Sequence, residues 1–139
     1  MRKLDRRGVA AFEFCLVAIP FLTSMFVIFD LGRYAITVQS LRWYANAGAR
    51  QVMIGCYTDR AIDPSKPACS TANLSGVDKP PFVSASAALS LTSSSAALTV
   101  TAADSAFTMG MTPLTQPLWP TSFNNPSVST QIPLPASSS

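Results

Sequence analysis

The sequence predicts an α+β protein: one long N-terminal helix, membrane-spanning in its first part, then a small antiparallel β region and a Pro/Ser-rich tail. Three observations predict it. A membrane-length, predominantly apolar run, Val9 to Phe29, follows a basic N-terminus. Apolar and small residues then recur at helical spacing as far as Ile54. Two short segments of alternating polarity flank Ser93-Ser94-Ser95.

The 21 residues from Val9 to Phe29 reach about 30 Å as a helix, the thickness of a bilayer's hydrocarbon core. A secretory signal has a shorter apolar region ending in a small-x-small cleavage site. No such site follows Phe29, so residues 9–29 read as a retained span. Pro20 is expected to kink the helix without ending it. Residues 1–8 hold Arg2, Lys3, Arg6 and Arg7 against Asp5, a formal +3 that equals the charge of the whole chain. The pI near 9.0 thus reports this cluster and does not point to nucleic acid. Lys and Arg stay on the cytoplasmic side of a span, so the rest of the chain is expected to cross.

Beyond Asp30, the residues Leu31, Tyr34, Val38, Leu41, Ala45, Gly48, Ala49 and Val52 trace one helical face. One helix is expected over residues 9–55, with Gly55-Cys56 as its stop and a length of about 65 Å. So long a stripe is expected to pack on other copies or other helices. Ala45, Gly48 and Ala49 would permit close helix approach, unless Gly48 merely belongs to a helix end.

Residues 56–82, with Pro64, Pro67, Pro80 and Pro81, read as a loop region. A hairpin is expected within 83–112: Ala85, Ala87, Leu89 and Leu91 share one face of Ser84–Thr92, and Leu98–Ala102 alternates again. Residues 113–139 contain six prolines without periodicity and read as an extended or partly disordered tail, with Leu118, Trp119 and Phe123 able to dock on the hairpin.

The chain has no histidine and no nucleophile-elbow, phosphate-loop or zinc-helix pattern, so neither catalysis, a metal, a cofactor nor a small-molecule substrate is expected. Cys56 and Cys69 lie on the predicted outer side, where a disulfide persists. Such a bridge would add about 3 kcal/mol on a chain-entropy argument; two free thiols are the alternative. Cys15 reads as a packing residue in the span. Asp30 and Arg33, beside Tyr34, read as an ion pair at the membrane edge or as a subunit contact. Asn73-Leu74-Ser75 fits the glycosylation acceptor pattern, which is too short to carry weight.

Glu13 is the anomaly. A lone carboxylate inside a membrane-length run costs several kcal/mol and demands a partner. Were the chain cut after Gly8, Val9 would bear an α-amino cation and Glu13 would be the fifth residue.

Arg6-Arg7-Gly8 followed by Glu13-Phe14 at the head of a spanning helix resembles the processing site of type IV prepilins, particularly the Flp/Tad subclass. Asp30-Leu31-Gly32-Arg33 and Ala45-Asn46-Ala47-Gly48-Ala49-Arg50 are similar to motifs of the TadE-like (TadE/TadF) minor pilins or pseudopilins. Leu31 stands where that family usually has Phe, and Asn46 where Ala is commoner. The resemblance implies a prepilin peptidase that cuts between Gly8 and Val9, and pairing of Glu13 with the Val9 ammonium of a neighbour. It further implies other pilin subunits, Tad inner-membrane assembly components and the lipid bilayer as partners. The expected location is the bacterial inner membrane, with the N-terminus cytoplasmic and the C-terminal region periplasmic, or the pilus itself. The competing reading is an uncleaved single-pass anchor that presents a small binding or regulatory domain.

Overall fold

A computed structural model describes residues 6–63, 65–94, 96–111, 113 and 115–134, with side chains from Gly8 onward. It is α+β: one long apolar helix followed by a small three-stranded antiparallel sheet. Residues 1–5 of the expected leader lie outside the described residues.

Helix α1 runs Arg6–Val52, 47 residues, or about 70 Å. Pro20 lies inside it and does not end it. Just beyond, the Thr23 hydroxyl donates to the Ile19 carbonyl at 2.8 Å and the Ser24 hydroxyl to Pro20 at 2.7 Å. Both polar side chains are thereby satisfied within the apolar run, by back-bonding one turn.

The helix does not stop at Gly55. The chain widens into a π turn at Met53–Tyr57 and continues as α2, Thr58–Ile62, before Asp63 adopts extended backbone. The expected boundary at residue 55 is therefore corrected by seven residues. Glycine in a helix costs only about 1 kcal/mol against alanine, and the π turn carries Cys56 on a buried face. There Cys56 forms a disulfide with Cys69, Cα atoms 5.7 Å apart. Residues 56–82 thus begin helical and include a further 3₁₀ turn, Thr71–Leu74, capped by reciprocal Ser70 and Asn73 bonds.

The sheet has the order β1 (Ala88–Ser93), β2 (Ala97–Ala103), β3 (Ser127–Pro133). Leu91 pairs with Val100, and Val100 with Thr130. The Ser94 hydroxyl accepts the Ala97 N–H and closes the β1–β2 turn. Within residues 113–139, expected to be extended or partly disordered, Ser127–Pro133 is extended and pairs with β2 as a third strand. Its pattern is Ser127-Val128-Ser129-Thr130-Gln131-Ile132-Pro133, with only two aliphatic residues facing inward, and it was hidden among prolines.

The inner face of β2, Leu98, Val100 and Ala102, packs on the outer half of α1. One cluster joins Ala49, Val52, Leu74, Leu98, Val100 and Ile132; the other joins Leu41, Tyr44, Ala45 and Ala102. Each fully buried Leu or Val contributes about 1.5–3 kcal/mol. From Leu41 to Val52 the helical stripe is thus covered by the chain's own sheet, which corrects for this part the expectation that it packs on other copies or other helices. Ala45, Gly48 and Ala49 do allow close approach, but to strands: a Cβ on Gly48 would lie 3.0 Å from Leu89 Cδ1 and 3.1 Å from Val100 Cγ1.

Asp104, fully buried at the end of β2, braces the chain entering β1. Its carboxylate accepts the Ser84 N–H at 2.8 Å, the Ser84 hydroxyl and the Ala106 N–H at 3.2 Å. Burial alone pushes this carboxyl up, yet the bonds from Ser84, Ala106 and Phe107 outweigh it and hold it below the usual value.

Two stability predictions follow from this packing. Gly48→Leu overfills the helix–sheet contact and should lower unfolding free energy by about 1–3 kcal/mol, read by chemical denaturation in micelles. The lowered Asp104 carboxyl contributes stability that is present above the unfolded value near 4 and lost as pH falls through the folded one. Asp104→Asn should cost about 1–3 kcal/mol at neutral pH and flatten the acid limb of the stability profile, followed by near-ultraviolet circular dichroism.

Candidate functional site

Two stretches of α1 carry the residues singled out by sequence. At its start, Gly8, Val9, Glu13 and Phe14 are all exposed. A Cβ on Gly8 would meet nothing within 4 Å, so no contact among the described residues requires glycine there. Glu13 makes no hydrogen bond or ion pair with a described side chain. The apolar run around it is likewise uncovered, from Phe12 through Phe29. A helix presenting that much apolar surface is long and apolar enough to cross a membrane.

The second stretch lies where the apolar run ends. Asp30 is 1% exposed. Its Oδ1 accepts the Met111 N–H at 3.0 Å and lies 3.8 Å from the Arg33 guanidinium. Asp30 Oδ2 has no partner among the described residues. Arg33 also sits over the Phe107 ring, 5.4 Å from its centroid, a cation–π contact. Tyr34 meets Phe123 edge-on at 5.1 Å and Phe107 at 6.2 Å, and Trp119 meets Phe123 at 5.9 Å. The Asp30–Arg33 pair therefore forms within the chain, under a loop that wraps the helix.

That loop is shaped by its backbone. Gly110 has φ +91°, and a Cβ there would come within 2.7 Å of the Gln116 Cα, so only glycine fits. Asn125 at φ 54° donates its N–H to the Phe107 carbonyl at 3.0 Å, while Asn124 Oδ1 accepts the Met109 N–H at 2.7 Å. Gly110, Met111 and Phe107 were not picked out by sequence; Phe123 was, as a residue able to dock on the hairpin, and it meets Tyr34 of the helix instead. Only Gly110 between two methionines offered a signal, because the loop has no periodicity.

The remaining residues divide. Gly32 is exposed, and a Cβ there would meet nothing within 4 Å. Ala45, Gly48 and Ala49 are buried under the sheet, whereas Arg50 is exposed on the far side. Asn46 Oδ1 accepts the Thr130 hydroxyl at 2.9 Å and ties α1 to β3. Among the described residues no cluster of three or more His, Cys, Asp or Glu side chains could hold a metal ion.

Residues 8–50 match the TadE family, described as TadE-like protein. This segment is TadE-like. It comprises the apolar run, the Asp30–Arg33 junction and the small residues under the sheet, and it ends before the disulfide. Residues 51–139, which hold the sheet, lie outside the match. No curated protein and no solved structure matches the chain.

The Asp30 junction can be tested by substitution. Asp30→Ala leaves the Met111 N–H without an acceptor and should cost about 1–3 kcal/mol. Asp30→Asn keeps an oxygen at that place and should cost less, as read from denaturation curves followed by Trp119 fluorescence.

Proposed function

We propose that this chain is a minor pilin or pseudopilin, a structural component in assembly of a Flp/Tad-type pilus used in adhesion and surface colonisation. A prepilin peptidase cuts it between Gly8 and Val9. The observation that carries the reading is a glycine with no packing reason, placed five residues before an exposed and unpartnered Glu13, at the head of a TadE-like apolar helix. A residue that nothing in its own chain requires is accounted for by a partner that reads it, and a peptidase subsite that admits no side chain is such a partner.

Cleavage removes the whole +3 of residues 1–8 and leaves an ammonium on Val9. In the assembly, Glu13 of one subunit neutralises that ammonium on its neighbour. Two such charges about 4 Å apart attract by about 4 kcal/mol at an effective dielectric of 20, before desolvation is subtracted. The pair then fixes axial register more than affinity. The basic leader holds the N-terminus in the cytoplasm, and the sheet lies on the periplasmic side of the bacterial inner membrane, where the Cys56–Cys69 bridge persists. The partners are the peptidase, other pilin subunits, the Tad inner-membrane components and the bilayer.

The intact mass of the membrane-extracted protein should correspond to a chain beginning at Val9, and Gly8→Leu should restore the full-length mass. Glu13→Gln should still be cleaved but lose at least about tenfold in co-purification with pilin subunits, the equivalent of 1.4 kcal/mol. Retention of Met1 or Arg2 in the unsubstituted protein would instead support an uncleaved anchor, and normal assembly of the Glu13→Gln protein would remove the pairing.

A further inference from the structure

The loop over Asp30 has a property that pilus assembly does not use. We propose that Met111, Leu118 and Trp119 rest in the interfacial layer of the bilayer that α1 spans, so that lipid and not water covers them. The proposal rests on the reading of Val9–Phe29 as a span.

Its height on the helix is fixed first. The Met111 N–H bonds to Asp30 Oδ1 at 3.0 Å, and Asp30 is the residue that follows the apolar run. Met111 therefore lies level with the end of the run, and its side chain is 61% exposed. Leu118, at 54% exposure, closes the 3₁₀ turn Gln116–Leu118. Trp119 follows it and joins, through Phe123, to Tyr34 one turn past Asp30. Two exposed apolar side chains and a half-buried tryptophan thus belong to the loop held at the level where hydrocarbon gives way to headgroups, the layer that Trp and Tyr favour.

Charge supplies the second argument. From residue 80 to the last residue, Asp104 is the only ionisable side chain, and it is buried. The loop consequently offers no charge that would have to be desolvated at a membrane surface, where each costs kcal/mol as it nears the hydrocarbon. Continuity is the third. Phe26 and Phe29, within four residues of the Asp30 that holds Met111, are exposed, so lipid that covers the end of the span reaches the level of the loop. Trp43, in contrast, sits 14 residues past Phe29, about 21 Å up the helix axis. It is exposed where Trp119 is half-buried, and serves as an internal control.

The two tryptophans make the test direct. The full chain carrying Trp43→Phe reports Trp119 alone, and the chain carrying Trp119→Phe reports Trp43 alone. Each is reconstituted into phosphatidylcholine vesicles with and without lipid bearing a nitroxide near the headgroup, and vesicle flotation is checked first. Trp119 emission should fall about twofold or more with the label while Trp43 changes little, as expected for an interfacial and a distant indole. Adding Met111→Glu and Leu118→Glu to the Trp119 reporter should restore its emission in protein that still floats. Floating protein in which Trp119 is quenched no more than Trp43 overturns the proposal. So does Trp119 emission that follows the protein-to-lipid ratio and ignores the label, the result expected if a second copy covers the loop. Protein that fails to float overturns the span itself, and this proposal with it.

Discussion

The structure turns on one hydrogen bond between residues 81 apart in sequence, from the Met111 N–H to the Asp30 carboxylate. Below Asp30, α1 is apolar on all sides and touches almost nothing of its own chain. Above it, the same helix buries one face under its sheet and leaves the other to solvent. A single carboxylate marks the change, and it is buried not by the helix but by a loop drawn across from the far end of the chain. That loop can reach because Gly110 takes a backbone conformation no other residue holds cheaply and because Phe107 and Phe123 grip Tyr34. The sheet is consequently fixed to the helix at two heights, at Gly48 by close packing and at Asp30 by a polar contact. Two attachments on a rigid rod prevent the domain from swinging about its anchor.

Three glycines of α1 illustrate how one residue type answers different demands. Gly48 is required from inside, since two side chains crowd the place where its Cβ would stand. Gly8 and Gly32 meet nothing, so their reason lies outside the chain or nowhere. Ala45 and Ala49, which share a motif with Gly48, are spent on intrachain packing. They are therefore not free to mediate helix association, and contacts with neighbours must use the lower helix or its back.

The long helix was legible because its signal is repeated many times over. A 21-residue run that is apolar except for Glu13, Thr23 and Ser24, then three- and four-residue steps through Val52, leave no competing period. The disulfide was legible as two cysteines on one side of a span. The helix end was not, because a stop was read from Gly55, and a glycine is a weak breaker when a π turn and a disulfide hold the backbone on both sides. Strand β3 was missed for a related reason: Val128 and Ile132 are too few to announce alternation, and only pairing with β2 makes them a strand. At the Asp30 junction the sequence showed the helical half, Asp30, Arg33 and Tyr34. The other half comes from a segment without period, and only tertiary contact identifies it.

On the proposed reading, the same reasoning bears on Glu13. After cleavage an ammonium on Val9 would lie one helical turn before Glu13, and helical side chains lean toward the N-terminus. The helix dipole also favours an acid in that first turn. A lone protomer can thus neutralise its own Glu13 and remain in the bilayer without a partner. Assembly then exchanges one ion pair for another, so the net gain is only a fraction of either pair's strength. That is the behaviour wanted of a register device: in misaligned helices each Glu13 falls back on its own Val9, so the aligned register is favoured by the difference between the two pairs, while apolar packing along the run supplies most of the affinity.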